Sequence, residues 1–363
     1  MFDEIDLKKL AKLTSHDRAF LSIYLSSPES LEIIERRIDN IRKLFKENKD
    51  ESKHFEENIK LVKDYLDKDL YQSGSLCIFC CWLLDYFEAY PLNVTVENII
   101  WVDSSPYIRP LAELKDEYEN FAVVVADNEI AKIFLVTSAK ADSEEKIKGN
   151  IKNRVKVGGW SQQRYERRRD KKIQYYSREI VDRLIELEKK EEFRRIILVG
   201  SKKILTEIRS ALTNQLTQKL VGEKALDLRK GENYINKEIF DLFFIEERKS
   251  EKKLWEEIKN HYLRGEPAVV GVDDVLFSSK MGRVEKVIVN RDVEINGIRC
   301  RDCEGLFNRE LDKCPDCGST SLFKVDLINE IVELLSTTKA EVDFVDEIEE
   351  LKDVGDIAAL LRY

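Results

Sequence analysis

Val157-Gly158-Gly159-Trp160-Ser161-Gln162-Gln163-Arg164-Tyr165-Glu166-Arg167-Arg168-Arg169 places a glycine pair directly before a basic, aromatic-bearing helix start. From Lys152 to Lys172 nine basic residues (Lys152, Arg154, Lys156, Arg164, Arg167, Arg168, Arg169, Lys171, Lys172) face two acidic ones, Glu166 and Asp170. The local charge is +7 in a chain whose formal net charge is -9. Trp160, Gln162, Gln163 and Tyr165 are interleaved with them, side chains that stack on bases or hydrogen-bond to them. A charge run is ordinarily a solvated helix face. The contrast of sign, the aromatics and the glycine pair favour a local RNA-binding segment here. Downstream, Ile173, Tyr176, Ile180, Leu184 and Leu187 step by 3, 4, 4 and 3, one face of a long helix.

Outward from this helix, Phe121 to Ala126 and Ile130 to Val136 read as strands joined by a turn at Asp127-Asn128. The polar stretch from Ala139 to Lys156 shows no apolar period. Ile196 to Val199, ending in Gly200-Ser201, reads as a buried strand, and Lys203 to Lys219 as a helix. Strand alternating with helix predicts a mixed sheet with helices packed on it. Toward the N-terminus, Phe20 to Leu25 reads as a strand. Ser30 to Lys68 reads as helical, with Leu31, Ile34, Ile38, Ile41 and Phe45 on one stripe, and Leu76 to Leu84 as a strand buried on both faces. Turn residues Asp103-Ser104-Ser105-Pro106 mark a boundary. Beyond the central region come a helix around Lys252 to Leu263, strands at Ala268 to Val272, Lys286 to Asn290 and Asp356 to Tyr363, and a helix near Asp273 to Met281. The predicted fold class is α/β, with three mixed α/β domains at 1–105, 106–242 and 243–363 and a zinc ribbon at 298–320 inserted in the third.

The ribbon rests on Cys300-x2-Cys303-x10-Cys314-x2-Cys317. Each short pair makes a tight turn that points two thiolates at one ion, and four protein ligands complete a tetrahedron. One structural Zn2+ per chain is expected, with no open position for catalysis. Cys77, Cys80 and Cys81 lie in the apolar run without partners at ligand spacing, as buried inert thiols do.

Composition excludes several classes. At about 150 residues per domain, 363 residues make two to three domains, and 43% hydrophobic with 36% charged residues is a folded composition. The uncharged run Leu70 to Leu84 is too short and too polar to span a bilayer. Asp3, Glu4 and Asp6 stand where a secretory signal carries positive charge, so a cytoplasmic protein with no membrane partner is expected. The overall acidity argues against a general nucleic-acid binder, DNA included. His16, His54 and His261 are scattered, and no HExxH, GxSxG or GxxxxGK[ST] pattern occurs.

The segment Val157 to Arg169 resembles the glycine-glycine-glutamine loop of archaeal and eukaryotic class-1 peptide-chain release factors. The likeness continues through Ile196-Ile197-Leu198-Val199-Gly200-Ser201, Ala268 to Val275, Cys300 to Cys317 and the closing Gly355 to Tyr363, in order over about 106 to 363. Two departures matter. Trp160 stands in place of the family's glutamine, and Asp39 to Asp50 lacks the family's stop-codon-reading Asn-Ile-Lys-Ser type of tetrad. The opening residues are more similar to bacterial and divergent relatives, some of which act in ribosome rescue or hibernation.

The resemblance implies a ribosome-binding translation factor with ribosomal RNA and peptidyl-tRNA as partners, and a translational GTPase on the third domain. Gly158, Gly159 and Trp160 would form the tip at the peptidyl-transferase centre. Lys156, Arg164, Tyr165, Arg167, Arg168, Arg169 and Lys171 would contact RNA. In the family the third tip residue's amide stabilises developing charge while water attacks the ester, and Trp160 keeps that amide but has no acceptor to orient water. A rescue or hibernation factor with weak or no hydrolysis is therefore expected. An active release factor and a zinc-ribbon RNA-binding protein acting away from the ribosome remain the alternatives.

Overall fold

The computed structural model describes residues 5–27, 30–67, 74–92, 94–117, 121–127, 130–137, 140–148, 160–190, 193–230 and 232–363. The chain forms two compact units, one of Met1–Asp116 with Leu254–Tyr363 and the other of Glu117–Lys253.

The first unit begins with α1 (Leu7–Leu10), β1 (Phe20–Leu25), α2 (Leu31–Leu44), α3 (Lys49–Leu66), β2 (Ser75–Cys81), β3 (Tyr86–Leu92) and β4 (Ile99–Asp103). The strands form an antiparallel sheet in the order β3-β2-β1-β4. Leu21, Ile23, Leu76 and Ile78 pack against Ile34 and Ile38 of α2 and Phe55, Ile59 and Val62 of α3. The stretch predicted as one helical segment breaks at Phe45, because Asn48 adopts extended backbone and its side chain accepts the Glu51 amide, capping a new helix. The apolar run also ends early. Trp82–Leu84 turn out as an exposed 3-10 segment, closed by Asp85 in the left-handed conformation. Cys77, Cys80 and Cys81 are buried free thiols, and burial pushes all three up from the ordinary thiol range.

After α4 (Arg109–Glu117), the second unit contains β5 (Phe121–Ala126), β6 (Ile130–Thr137), β7 (Lys140–Lys148), α5 (Trp160–Lys190), β8 (Arg195–Gly200), α6 (Lys202–Ala211), α7 (Asn214–Lys219) and β9 (Leu220–Ala225). The sheet order is β7-β6-β5-β8-β9, antiparallel through β5 and parallel from β5 to β9. One face carries Ala122, Val124, Ile196 and Leu198 against Ile173, Ile180 and Leu184 of α5 and Ile204 and Ile208 of α6. The other carries Val123, Ile197 and Val199 against Ile239 and Leu242 of α8 (Glu232–Arg264). Coverage on both faces explains why β5 and the Ile196–Val199 stretch of β8 are uninterrupted apolar runs. Gly200 ends β8 with φ +147, and a Cβ there would lie 1.8 Å from the Ala126 carbonyl oxygen, so only glycine lets the strand ends meet.

The rest of the first unit contains β10 (Ala268–Val270), α9 (Val272–Lys280), β11 (Val284–Asn290), β12 (Asn296–Cys300), β13 (Leu306–Phe307), β14 (Leu322–Asp326), α10 (Leu327–Thr338), β15 (Glu341–Val345), α11 (Glu349–Asp353) and β16 (Ile357–Leu361). A mixed sheet runs β10-β16-β11-β15, and a separate three-stranded sheet runs β13-β12-β14. α8 continues without a break through residue 243, and the first and third predicted domains share one unit.

Buried polar groups join the two parts of the first unit. Asn329 Oδ1 accepts the amides of Ile108 (2.9 Å) and Arg109 (3.0 Å), Ser105 Oγ donates to Glu333 (2.8 Å), and Arg109 pairs with Asp326 (3.1 Å). Burial pushes the Glu330 carboxyl up to about 7, although the Arg299 guanidinium lies 3.2 Å away. Burial and the neighbouring Glu330 charge hold Glu333 well above the carboxylate range. A carboxyl raised on folding binds its proton more tightly in the folded state, so its contribution is complete below about 4.5 and is lost as pH rises through about 7. The urea midpoint is expected to fall from pH 5 to pH 8, with Glu330→Gln removing up to about 1.4 kcal/mol per pH unit of that slope. Equal slopes for both proteins would mean that Glu330 titrates normally.

Candidate functional site

The basic segment predicted to bind RNA occupies the start of α5, a helix of 31 residues. Lys156, Gly158 and Gly159 lie outside the described residues. α5 is described from Trp160 onward. Among the described side chains of α5, Ile173, Tyr176, Ile180, Leu184 and Leu187 are buried. At 1.5 Å per residue, Trp160 lies about 20 Å along the axis before Ile173. The core thus holds α5 from Ile173 to Leu187, downstream in sequence of most of the basic run.

Helical register divides that run. At 100° per residue, Trp160, Arg164, Arg167, Arg168 and Lys171 occupy positions opposite the buried stripe, whereas Tyr165 and Arg169 sit at positions that continue it. Lys171, Tyr175 and Arg178 follow the same outward line and are exposed. Tyr175 and Arg178 were not expected at the site, although their spacing of 4 and 7 residues from Lys171 was readable.

The four cysteines at the end of β12 and after β13 come together. Their Sγ atoms all lie within 4.8 Å of one another, with Cys300–Cys317 at 3.5 Å and Cys303–Cys314 at 3.4 Å. Four sulfurs at about 2.3 Å from a tetrahedral ion stand about 3.8 Å apart, so the set fits a single metal ion. Burial alone would raise the Cys300 thiol, but the amides of Cys303 and Asp302 and the adjacent thiols bring it down to about 7, while neighbouring thiols push Cys303 and Cys317 up, so the four close sulfurs share their protons as one set. Gly318 at φ +77 shapes the second turn, where its amide donates to the Cys314 carbonyl at 2.9 Å. All four donors come from the protein, so an ion held there has a structural role. Among the described residues, no helix is long and apolar enough to cross a membrane.

The model of the family described as "Bacterial archaeo-eukaryotic release factor family 10" matches residues 106–234. A curated relative, peptide chain release factor subunit 1 of Thermococcus kodakarensis, is 24% identical over 305 residues, covering 75% of this chain and 72% of the relative. Among solved structures, an archaeal translation termination factor, aRF1, aligns over 98% of this chain and 96% of its own at 18% identity, with a TM-score of 0.26. A structure titled as ribosome-bound archaeal Pelota and ABCE1 aligns over 76% of this chain and 72% of its own at 16% identity, with a TM-score of 0.41. The sequence matches support a divergent relative of the archaeal and eukaryotic-type release factors, with the family model covering the central residues 106–234.

Proposed function

We propose that the protein is a ribosome-binding translation factor that carries Gly158-Gly159-Trp160 into the peptidyl-transferase centre and acts in rescue or hibernation with weak or no hydrolysis of peptidyl-tRNA. What supports this reading is α5, packed into the core from Ile173 to Leu187 and carrying the basic run in the sequence of its first turns. Arg164, Arg167, Arg168 and Lys171 would grip ribosomal RNA phosphates, and the Trp160 indole would stack on a base, worth roughly 1–3 kcal/mol. Lys156 and the remaining basic and aromatic residues, Tyr165 and Arg169, would complete the RNA contacts. The relatives' name as peptide chain release factors supports the ribosome as partner.

In the same reading the cysteine cluster holds one zinc ion, the domains divide near 105 and 242, the third domain docks a translational GTPase, and the protein works in the cytoplasm. The backbone amide that Trp160 retains favours a second reading, an active release factor, because in the family the third tip residue's amide stabilises the developing oxyanion. Single-turnover release from ribosomes carrying labelled peptidyl-tRNA, with and without a stop codon in the A site, separates the two. Little release in either state is expected; brisk release by the native protein makes it a hydrolase.

A further inference from the structure

We propose that the four-cysteine ribbon is a metal-dependent fastener between the N-terminal sheet and the C-terminal sheet of the first unit. Its contacts cross from one to the other at the cysteine end. Arg301 stands inside the first cysteine pair, and its guanidinium reaches Glu51 at 2.7 Å and Asp17 at 3.4 Å. Glu51 is buried at the start of α3, and Asp17 in turn lies 3.8 Å from the buried His54 of the same helix. Arg299, next to Cys300, donates to Glu330 and also to Thr14 Oγ1 at 3.4 Å. The Arg18 guanidinium lies 5.2 Å from the centre of the Phe323 ring in β14.

The ribbon has little else to hold this end in place. β13 is two residues long, and the buried apolar side chains of the small sheet are Ile298, Leu306, Phe323 and Val325. So small a core does not order a loop without a staple. The turn that aims Arg301 is closed by the Glu304 amide on the Cys300 carbonyl, with Glu304 itself at φ 59. An ion joining Cys300 and Cys303 to Cys314 and Cys317 therefore fixes Arg301 on its two carboxylates. The contacts of Asp326 and Asn329 with residues 107–109 lie at the other end of β14 and do not pass through the cysteines. Losing the metal would open the cysteine end and leave this root joined.

The inference rests on the metal reading, and hydrogen–deuterium exchange of the full chain tests both separately. Removing the metal with a chelator is expected to speed exchange in residues 14–18 and in the first two turns of α3 by roughly tenfold, with residues 105–109 unchanged. Arg301→Ala keeps all four cysteines. It is expected to retain one metal per chain and to speed exchange in the same two segments, which tests the fastener even where chelation unfolds the whole unit. Native protein without stoichiometric metal overturns both readings. Metal present, with neither its removal nor Arg301→Ala altering residues 14–18 and 49–55, overturns the fastener alone.

Discussion

Cys314→Ser is expected to abolish stoichiometric zinc and destabilise the C-terminal part of the first unit by on the order of 5 kcal/mol. Structural zinc contributes about 10–16 kcal/mol in isolated fingers, and a ribbon set in a larger unit keeps part of its order through neighbours. Those neighbours are specific. β12 pairs with β14 from Asn296 opposite Asp326 to Cys300 opposite Leu322, and Gly297 lets β12 lie so close to Leu327 that a Cβ would come within 2.3 Å of its side chain. The root of the ribbon should survive and its tip should not. Elemental analysis together with thermal melts checks this. Native protein purified without chelators and free of zinc, or a variant with an unchanged melting temperature, would show that the thiols merely lie close together.

Trp160→Gln is expected to raise single-turnover peptide release by roughly a hundredfold. An oriented water and a positioned proton acceptor are together worth that much or more, and the substitution restores an acceptor beside a backbone amide that the position keeps with either side chain. Gly159→Ala should lower ribosome binding and release together, because the added Cβ closes the positive-φ range that a glycine tip exploits. Trp160→Ala separates the roles: it should weaken binding by up to the value of one stacked base without restoring release. Should the glutamine variant release no faster than the native protein, the tip lacks more than an acceptor.

Elements buried on both faces were legible because their signal is local. Phe121–Ala126 and Ile196–Val199 are uninterrupted apolar runs, Phe20–Leu25 is broken only by Ser22, and the structure makes strands of all three. The α5 stripe was legible for the same reason, since every one of its five apolar positions is buried. β7 escaped because Lys140–Lys148 is almost wholly polar and is a strand only by pairing with β6 at the sheet edge. α10 escaped for the opposite reason. Leu327, Ile328, Ile331, Val332 and Leu335 are joined inside by Asn329, Glu330 and Glu333, which blurs any two-faced period.

The candidate site divides along the same line. Cysteine spacing is a local code, and the four thiols meet. The pairs Arg301–Glu51 and Asn329–Ile108 join residues more than 200 positions apart, which no periodicity reveals. The outward line of α5 needed the helix start at Trp160 and the buried stripe together, since composition alone gives Arg169 the same weight as Arg168.

Ribosome co-sedimentation across a salt series, comparing the native protein with a variant in which Arg164, Arg167 and Arg168 are glutamine, tests the central claim most directly. The native protein should pellet with ribosomes, its affinity falling steeply with salt. The variant should bind more weakly, with the slope of log affinity against log salt reduced by roughly 0.7–0.9 for each RNA phosphate that is no longer neutralised. A native protein that stays in the supernatant at low salt, or a variant with the same affinity and slope, would contradict the account.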